Sequence, residues 1–186
     1  MIAIGTTRKP TQRIRSFIKE LNRVIPGSIR VTRGKQAFDE FCETALDQGA
    51  TRILLVGAFH GNPGRIGFLH HSQDTWKFQS PTIIFQSVQL LRDQKNQQPR
   101  TIKRLVVLAD TSYDQTKATV LAKALDAPCV NREALPIASN NTAILRVAVS
   151  RYKAMDFVSP DETHLLGPAL RVKHFLNRSM GEPKRW

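Results

Sequence analysis

The chain has 186 residues, is 41% hydrophobic, and carries 28 Lys+Arg against 15 Asp+Glu, a formal net charge of +13. That hydrophobic content excludes low-complexity disorder and supports a buried core in one domain or two small ones. No run of about 18 apolar residues is present to span a bilayer, so a membrane partner is not expected.

In chain order, Ile2–Gly5 reads as a short buried strand, with no apolar signal core at the N-terminus. A polar loop, Thr6-Thr7-Arg8-Lys9-Pro10, leads into an amphipathic helix from about Thr11 to Ile25. Its apolar residues Ile14, Phe17, Ile18, Leu21, Val24 and Ile25 recur at helical spacing, which leaves Arg15, Lys19 and Arg23 on the opposite face. Pro26-Gly27 stops the helix, and a short strand, Ser28–Thr32, ends in Arg33-Gly34. A second helix turns Phe38, Phe41, Cys42, Ala45 and Leu46 inward and ends at Gly49. Residues 52–59 form a central-type strand, the turn His60–Gly64 returns into Arg65–His70 as a hairpin, and a further strand, Thr82–Leu90, follows Ser80-Pro81. Asp93–Pro99 is the linker.

Beyond the linker the pattern restarts. Leu105–Leu125 reads as a strand, a Thr/Ser loop and an amphipathic helix, in which Thr7 falls on Thr111, Phe17 on Leu121, Lys19 on Lys123 and Leu21 on Leu125. A short strand at Pro128–Asn131 answers residues 28–32, with Arg132 where Arg33 stood. Ala143–Val149 and Met155–Val158 form a second hairpin, and Gly167–Val172 answers Ser80–Phe85. The expectation is an α/β fold: one domain, 1–186, built as a tandem duplication of a small α/β unit, with halves 1–92 and 100–186.

The positive charge is segregated. Residues 1–35 hold Arg8, Lys9, Arg13, Arg15, Lys19, Arg23, Arg30, Arg33 and Lys35 against Glu20, and residues 171–186 hold Arg171, Lys173, Arg178, Lys184 and Arg185 against Glu182. The stretch between them is nearly neutral. Cations gathered at the two ends suit a polyanion, because each one set on a phosphate releases condensed counterions, so nucleic acid is the leading partner. Thr6–Thr11 lies between a strand and a helix start, where hydroxyls, cations and backbone N–H groups form an anion site. A plain helix cap at Thr11 with solvated Arg8 and Lys9 is the competing reading. Gly34 supplies either a positive φ or room for a phosphate.

The glycine-rich Gly61–Gly67 reads as a hairpin turn, since it lacks the Lys-Ser/Thr ending of a phosphate loop and opens no helix. Asp110-Thr111-Ser112 reads as a loop and helix cap. Cys42 and Cys129 read as reduced core residues of an intracellular protein, and the histidines have no metal-ligand spacing. No catalytic constellation, cofactor motif or metal site is found. Aromatics are few and mostly inward in the pattern, which argues against base stacking.

Ile4–Lys35 resembles the Brix-domain family of ribosome-biogenesis proteins, nearest to the branch of the small-subunit processome component and its archaeal relatives. The matching features are the Thr6–Thr11 loop, the basic helix, Ile25-Pro26-Gly27 and Arg33-Gly34. Leu166–Val172 resembles the family's closing Gly-Pro-Arg-Phe segment, with Ala169 and Leu170 departing from it. The resemblance implies halves like the anticodon-binding domain of class II aminoacyl-tRNA synthetases, RNA binding during ribosome assembly, and no catalysis.

The expected function is therefore that of a non-catalytic, cytoplasmic, rRNA-binding assembly factor, working with rRNA or pre-rRNA and other assembly proteins. Its RNA contacts are expected at Thr7, Arg8, Lys9, Arg13, Arg15, Lys19, Arg23, Arg30, Arg33, Gly34, Lys35, Arg171 and Lys173. A tRNA-binding module and an RNA-modifying enzyme are the alternatives.

Overall fold

A computed structural model describes residues 1–93, 101–132 and 141–177. The first part runs β1 (Ile2–Thr6), α1 (Gln12–Val24), β2 (Ser28–Arg30), α2 (Phe38–Asp47), β3 (Arg52–Phe59), β4 (Asn62–Ser72) and β5 (Thr75–Gln89), then a short 3-10 turn, Leu91–Asp93. The second runs β6 (Arg104–Ala109), α3 (Gln115–Leu125), β7 (Cys129–Val130), β8 (Thr142–Ala148), β9 (Ala154–Val158) and β10 (Leu165–Leu176). The strands form one mixed sheet in the order β2-β1-β3-β4-β5-β10-β9-β8-β6-β7, confirming an α/β fold. β1 runs parallel to β2 and β3, and β6 parallel to β7 and β8, while β5 and β10 pair antiparallel at the centre. Read inward from either edge, the order of neighbours is the same.

Helix α1 starts where Thr11 accepts a hydrogen bond from the Ile14 N–H at 3.3 Å, and it buries Ile14, Phe17, Leu21 and Val24. Helices α1 and α3 lie on one face of the sheet, and each packs over the central strand of the other part, α1 on β10 and α3 on β5. The approach is close: a Cβ at Gly167 would come within 2.9 Å of Val24. Phe17 meets Phe85 edge-on at 6.0 Å, and Arg52 pairs with Asp126 at 3.1 Å. Both parts thus share one apolar core. Helix α2 covers the opposite face of the first part, placing Phe41, Cys42 and Ala45 on Ala3, Ile53 and Leu55. There burial, and secondarily the charge of Asp39, pushes the Cys42 thiol up to about 12.

Several expectations are corrected. The hairpin turn is not His60–Gly64 but the pair His60-Gly61, both at positive φ, with β4 already under way at Asn62. β5 does not begin at Thr82: it starts at Thr75, after a second tight turn at Gln73-Asp74, also at positive φ. Pro81 fits inside that strand because the register slips between Ile66 and Phe68, so the missing N–H falls at an irregularity. Leu46 is 37% exposed rather than inward, and Cys129 is half-buried. Most of the linker (94–99) and the basic residues Arg178, Lys184 and Arg185 lie outside the described residues.

Candidate nucleic-acid interface

Three chain reversals meet where β1, β2 and β3 end: Thr7–Pro10, Val31–Ala37 and His60-Gly61. They are tied by hydrogen bonds. The Thr7 N–H donates to the Val56 carbonyl at 3.0 Å, and the Thr11 hydroxyl donates to the Gly61 carbonyl at 2.6 Å. The guanidiniums of Arg8 (3.5 Å) and Arg33 (3.4 Å) both donate to the Gln36 carbonyl. Arg8, Lys9, Gly34 and Lys35 are exposed around this junction, as is Arg30 at the end of the edge strand β2. Gly34 sits at φ +54, so the positive-φ requirement is real.

The predicted contacts do not all share one environment. Thr7 is buried and its N–H is committed to the sheet, so neither group is presented to an anion. Arg33 is only 9% exposed, with its guanidinium 5.4 Å from the centroid of the Phe38 ring. Burial, and then the charge of Arg8, lowers its pKa. Arg13 is part-exposed but engaged by the protein itself, donating to the Val88 carbonyl at 3.0 Å and pairing with Asp93 at 3.2 Å. Arg15, Lys19 and Arg23 line the exposed side of α1. Arg171 and Lys173 are exposed on β10, and strand alternation sends Arg171 to the face away from α1, because its neighbours Leu170 and Val172 join the α1 core. Among the described residues, no carboxylate pairs with Arg8, Lys9, Arg15, Lys19, Arg23, Arg30, Lys35, Arg171 or Lys173.

The corresponding region of the second part is electrostatically different. Arg132 bonds Asp110 at 3.0 Å and Glu162 at 2.8 Å, and Arg146 bonds Asp156 at 2.7 Å and Glu162 at 3.2 Å. These carboxylates raise the pKa of both arginines, chiefly through the hydrogen bonds that Arg132 donates to Asp110 and Arg146 donates to Asp156. Fully buried Asp114 accepts from the Ser150 N–H at 2.8 Å and the Ser150 hydroxyl at 2.6 Å, fastening the start of α3 to the β8–β9 turn. Thr11 and Gly61 fasten α1 to the β3–β4 turn in the same way. Arg8, Lys9, Arg15, Lys19, Arg23, Arg30 and Lys35 of the first part, with no carboxylate partner among the described residues, are thus able to meet an external anion, while Arg132 and Arg146 are already compensated.

Sequence reasoning missed the exposed aromatics. Phe59 is 66% exposed, Tyr113 83% and Tyr152 56%. Tyr113 and Tyr152 sit in turns, where periodicity gives no inward or outward assignment, and Phe59 is the last residue of β3, where alternation from the buried Ile53 and Leu55 reads as inward.

No protein-family model matches the chain. It is 28% identical to a probable Brix domain-containing ribosomal biogenesis protein of Thermococcus kodakarensis, over 100% of this chain and 94% of the relative. A protein of the same description from Aeropyrum pernix is 49% identical over 61 residues, 33% of this chain and 34% of that protein. Among solved structures, a probable ribosomal biogenesis protein from Aeropyrum pernix superposes with a TM-score of 0.76 at 29% identity, covering 94% of this chain and 98% of that one. An archaeal Imp4-like protein superposes with a TM-score of 0.64 at 22% identity, covering 96% and 99%, a likeness of fold. The family resemblance read from Thr6–Gly34 and Leu166–Val172 is borne out.

Proposed function

We propose that this chain, a relative of the archaeal Brix-domain ribosomal biogenesis proteins, is a non-catalytic rRNA-binding factor in ribosome assembly. The single observation that carries the reading is the set of uncompensated cations spread from the strand ends of β1 and β2 along α1, against an electrostatically closed counterpart in the second part. Such a surface holds phosphates without reading bases, so contacts of this kind set position and RNA shape sets selectivity. The matching strand orders on either side of the β5–β10 pair support a duplicated unit, with halves 1–92 and 100–186. The likeness of each half to an anticodon-binding domain is part of the same proposal, as are a cytoplasmic location and assembly proteins as partners. If the grip is electrostatic, log affinity for an rRNA transcript falls linearly with log salt, by about 0.7 per phosphate engaged on single strands. A salt titration followed by fluorescence anisotropy checks this; an affinity indifferent to salt overturns it.

A further inference from the structure

Two open cavities lie at the tight turns that join β3 to β4 and β8 to β9. The first, about 430 Å³, is lined by Arg13, Phe59, His60, Gln86 and Ser87 among others. The second, about 530 Å³, is lined by Asp110, Thr111, Arg132, Arg146, Arg151 and Tyr152 among others. Both fall in the range of clefts that accept small planar ligands. Each has an exposed aromatic ring braced by a cationic or cationisable neighbour. Phe59 meets His60 edge-on at 4.3 Å, and the Arg151 guanidinium stands 5.1 Å from the Tyr152 ring centroid.

The two cavities are linked by register. Ser87, which lines the first, pairs with Arg171 on β10, and Arg171 pairs with Ala154 on β9, which lines the second. Arg171 is exposed and, among the described residues, has no carboxylate partner. Arg171 therefore stands between the cavity that Phe59 lines and the cavity that Tyr152 lines. In the lining of the second cavity Arg132 and Arg146 are already bonded to Asp110, Asp156 and Glu162. A phosphate there would meet compensated arginines and the Asp110 carboxylate as a like charge, which leaves the exposed Tyr152 ring as the contact a nucleobase could use.

We propose that this surface binds unpaired RNA, with a phosphate on Arg171 and flanking bases stacked on Phe59 and Tyr152. The inference rests on the RNA-binding reading above and narrows it: the sheet centre takes single-stranded RNA, while the cations of the first part hold phosphates of either form. A duplex keeps its bases stacked inside and has none to offer the two rings.

The test compares a fluorescein-labelled oligouridine with an RNA duplex of equal length. Phe59→Ala and Tyr152→Ala should each weaken binding to the single strand by about 5- to 150-fold and leave duplex binding unchanged. Tyr152→Phe should retain single-strand affinity, because the ring stacks without its hydroxyl. Arg171→Gln should lower the salt slope on the single strand by about 0.7. Both rings are solvent-exposed, so the alanine variants should keep the parent circular dichroism spectrum. Equal losses on both RNAs, or no loss on the single strand, overturn the inference. If the parent chain binds both RNAs and only these variants are silent, the RNA-binding reading stands; if it binds neither, both fall.

Discussion

Glu20 shows what one side chain does when its surroundings change its part. On a helical wheel it borders the apolar arc of α1 beside Val24 and Phe17; it is buried, and its carboxylate accepts from the Leu91 N–H at 2.7 Å and the Arg92 N–H at 3.5 Å. Those two donors belong to the turn that ends the first part, so Glu20 anchors the exit of β5 to α1. Glu20→Ala leaves the Leu91 N–H without its acceptor and should cost about 1–3 kcal/mol of unfolding free energy, measured by urea denaturation. The local pattern puts Glu20 at the edge of the apolar arc and cannot show what it bonds to, because its partners lie more than seventy positions away. Arg33 is the same lesson in reverse. Composition placed it among the surface cations, whereas Gln36 and Phe38 fold back on it and take it out of solvent.

At the scale of elements, helices were the most legible. The spacing of Ile14, Phe17, Leu21 and Val24 predicted α1 and its solvent face, and Thr11 its start. Thr11 also holds the β3–β4 turn through its hydroxyl, so Thr11→Ala removes a cap and a tertiary bond together. The expected loss is about 0.5–2 kcal/mol for the cap alone, read from the thermal unfolding midpoint, with RNA affinity falling as the loop of Arg8 and Lys9 loosens. Strand extents were less legible. The start of β5 is illegible because Ser80-Pro81 reads as a strand entry, and only the slip opposite Gly67 lets the strand continue through it. The Gln73-Asp74 turn was missed since neither residue is glycine, although both adopt positive φ. The exposure of Tyr152 is illegible because a turn has no periodicity to point a side chain in or out, and that of Phe59 because strand alternation continues from the buried Ile53 and Leu55 to the end of β3.

For the molecule as a whole, the uneven charge along the sequence became a localised surface only in part. Folding withdraws Arg13 and Arg33 and turns Arg171 to the face away from α1, yet it leaves Arg8, Lys9, Arg15, Lys19, Arg23, Arg30 and Lys35 uncompensated on the first part. It also reveals what composition could not, that the second part neutralises its own strand-end arginines with Asp110, Asp156 and Glu162.

The central claim is that position, and not total charge, produces RNA binding. The most direct measurement compares two triple variants of equal net charge on one rRNA transcript at one salt concentration. The first is Arg8→Ala, Lys9→Ala and Arg15→Ala, all exposed residues of the proposed grip. The second is Lys103→Ala, Arg104→Ala and Lys123→Ala, exposed residues at the start of β6 and on α3. With three phosphate contacts removed, the first should lose most of its affinity and about 2 units of salt slope, the second almost none. Equal losses from the two variants would contradict the account.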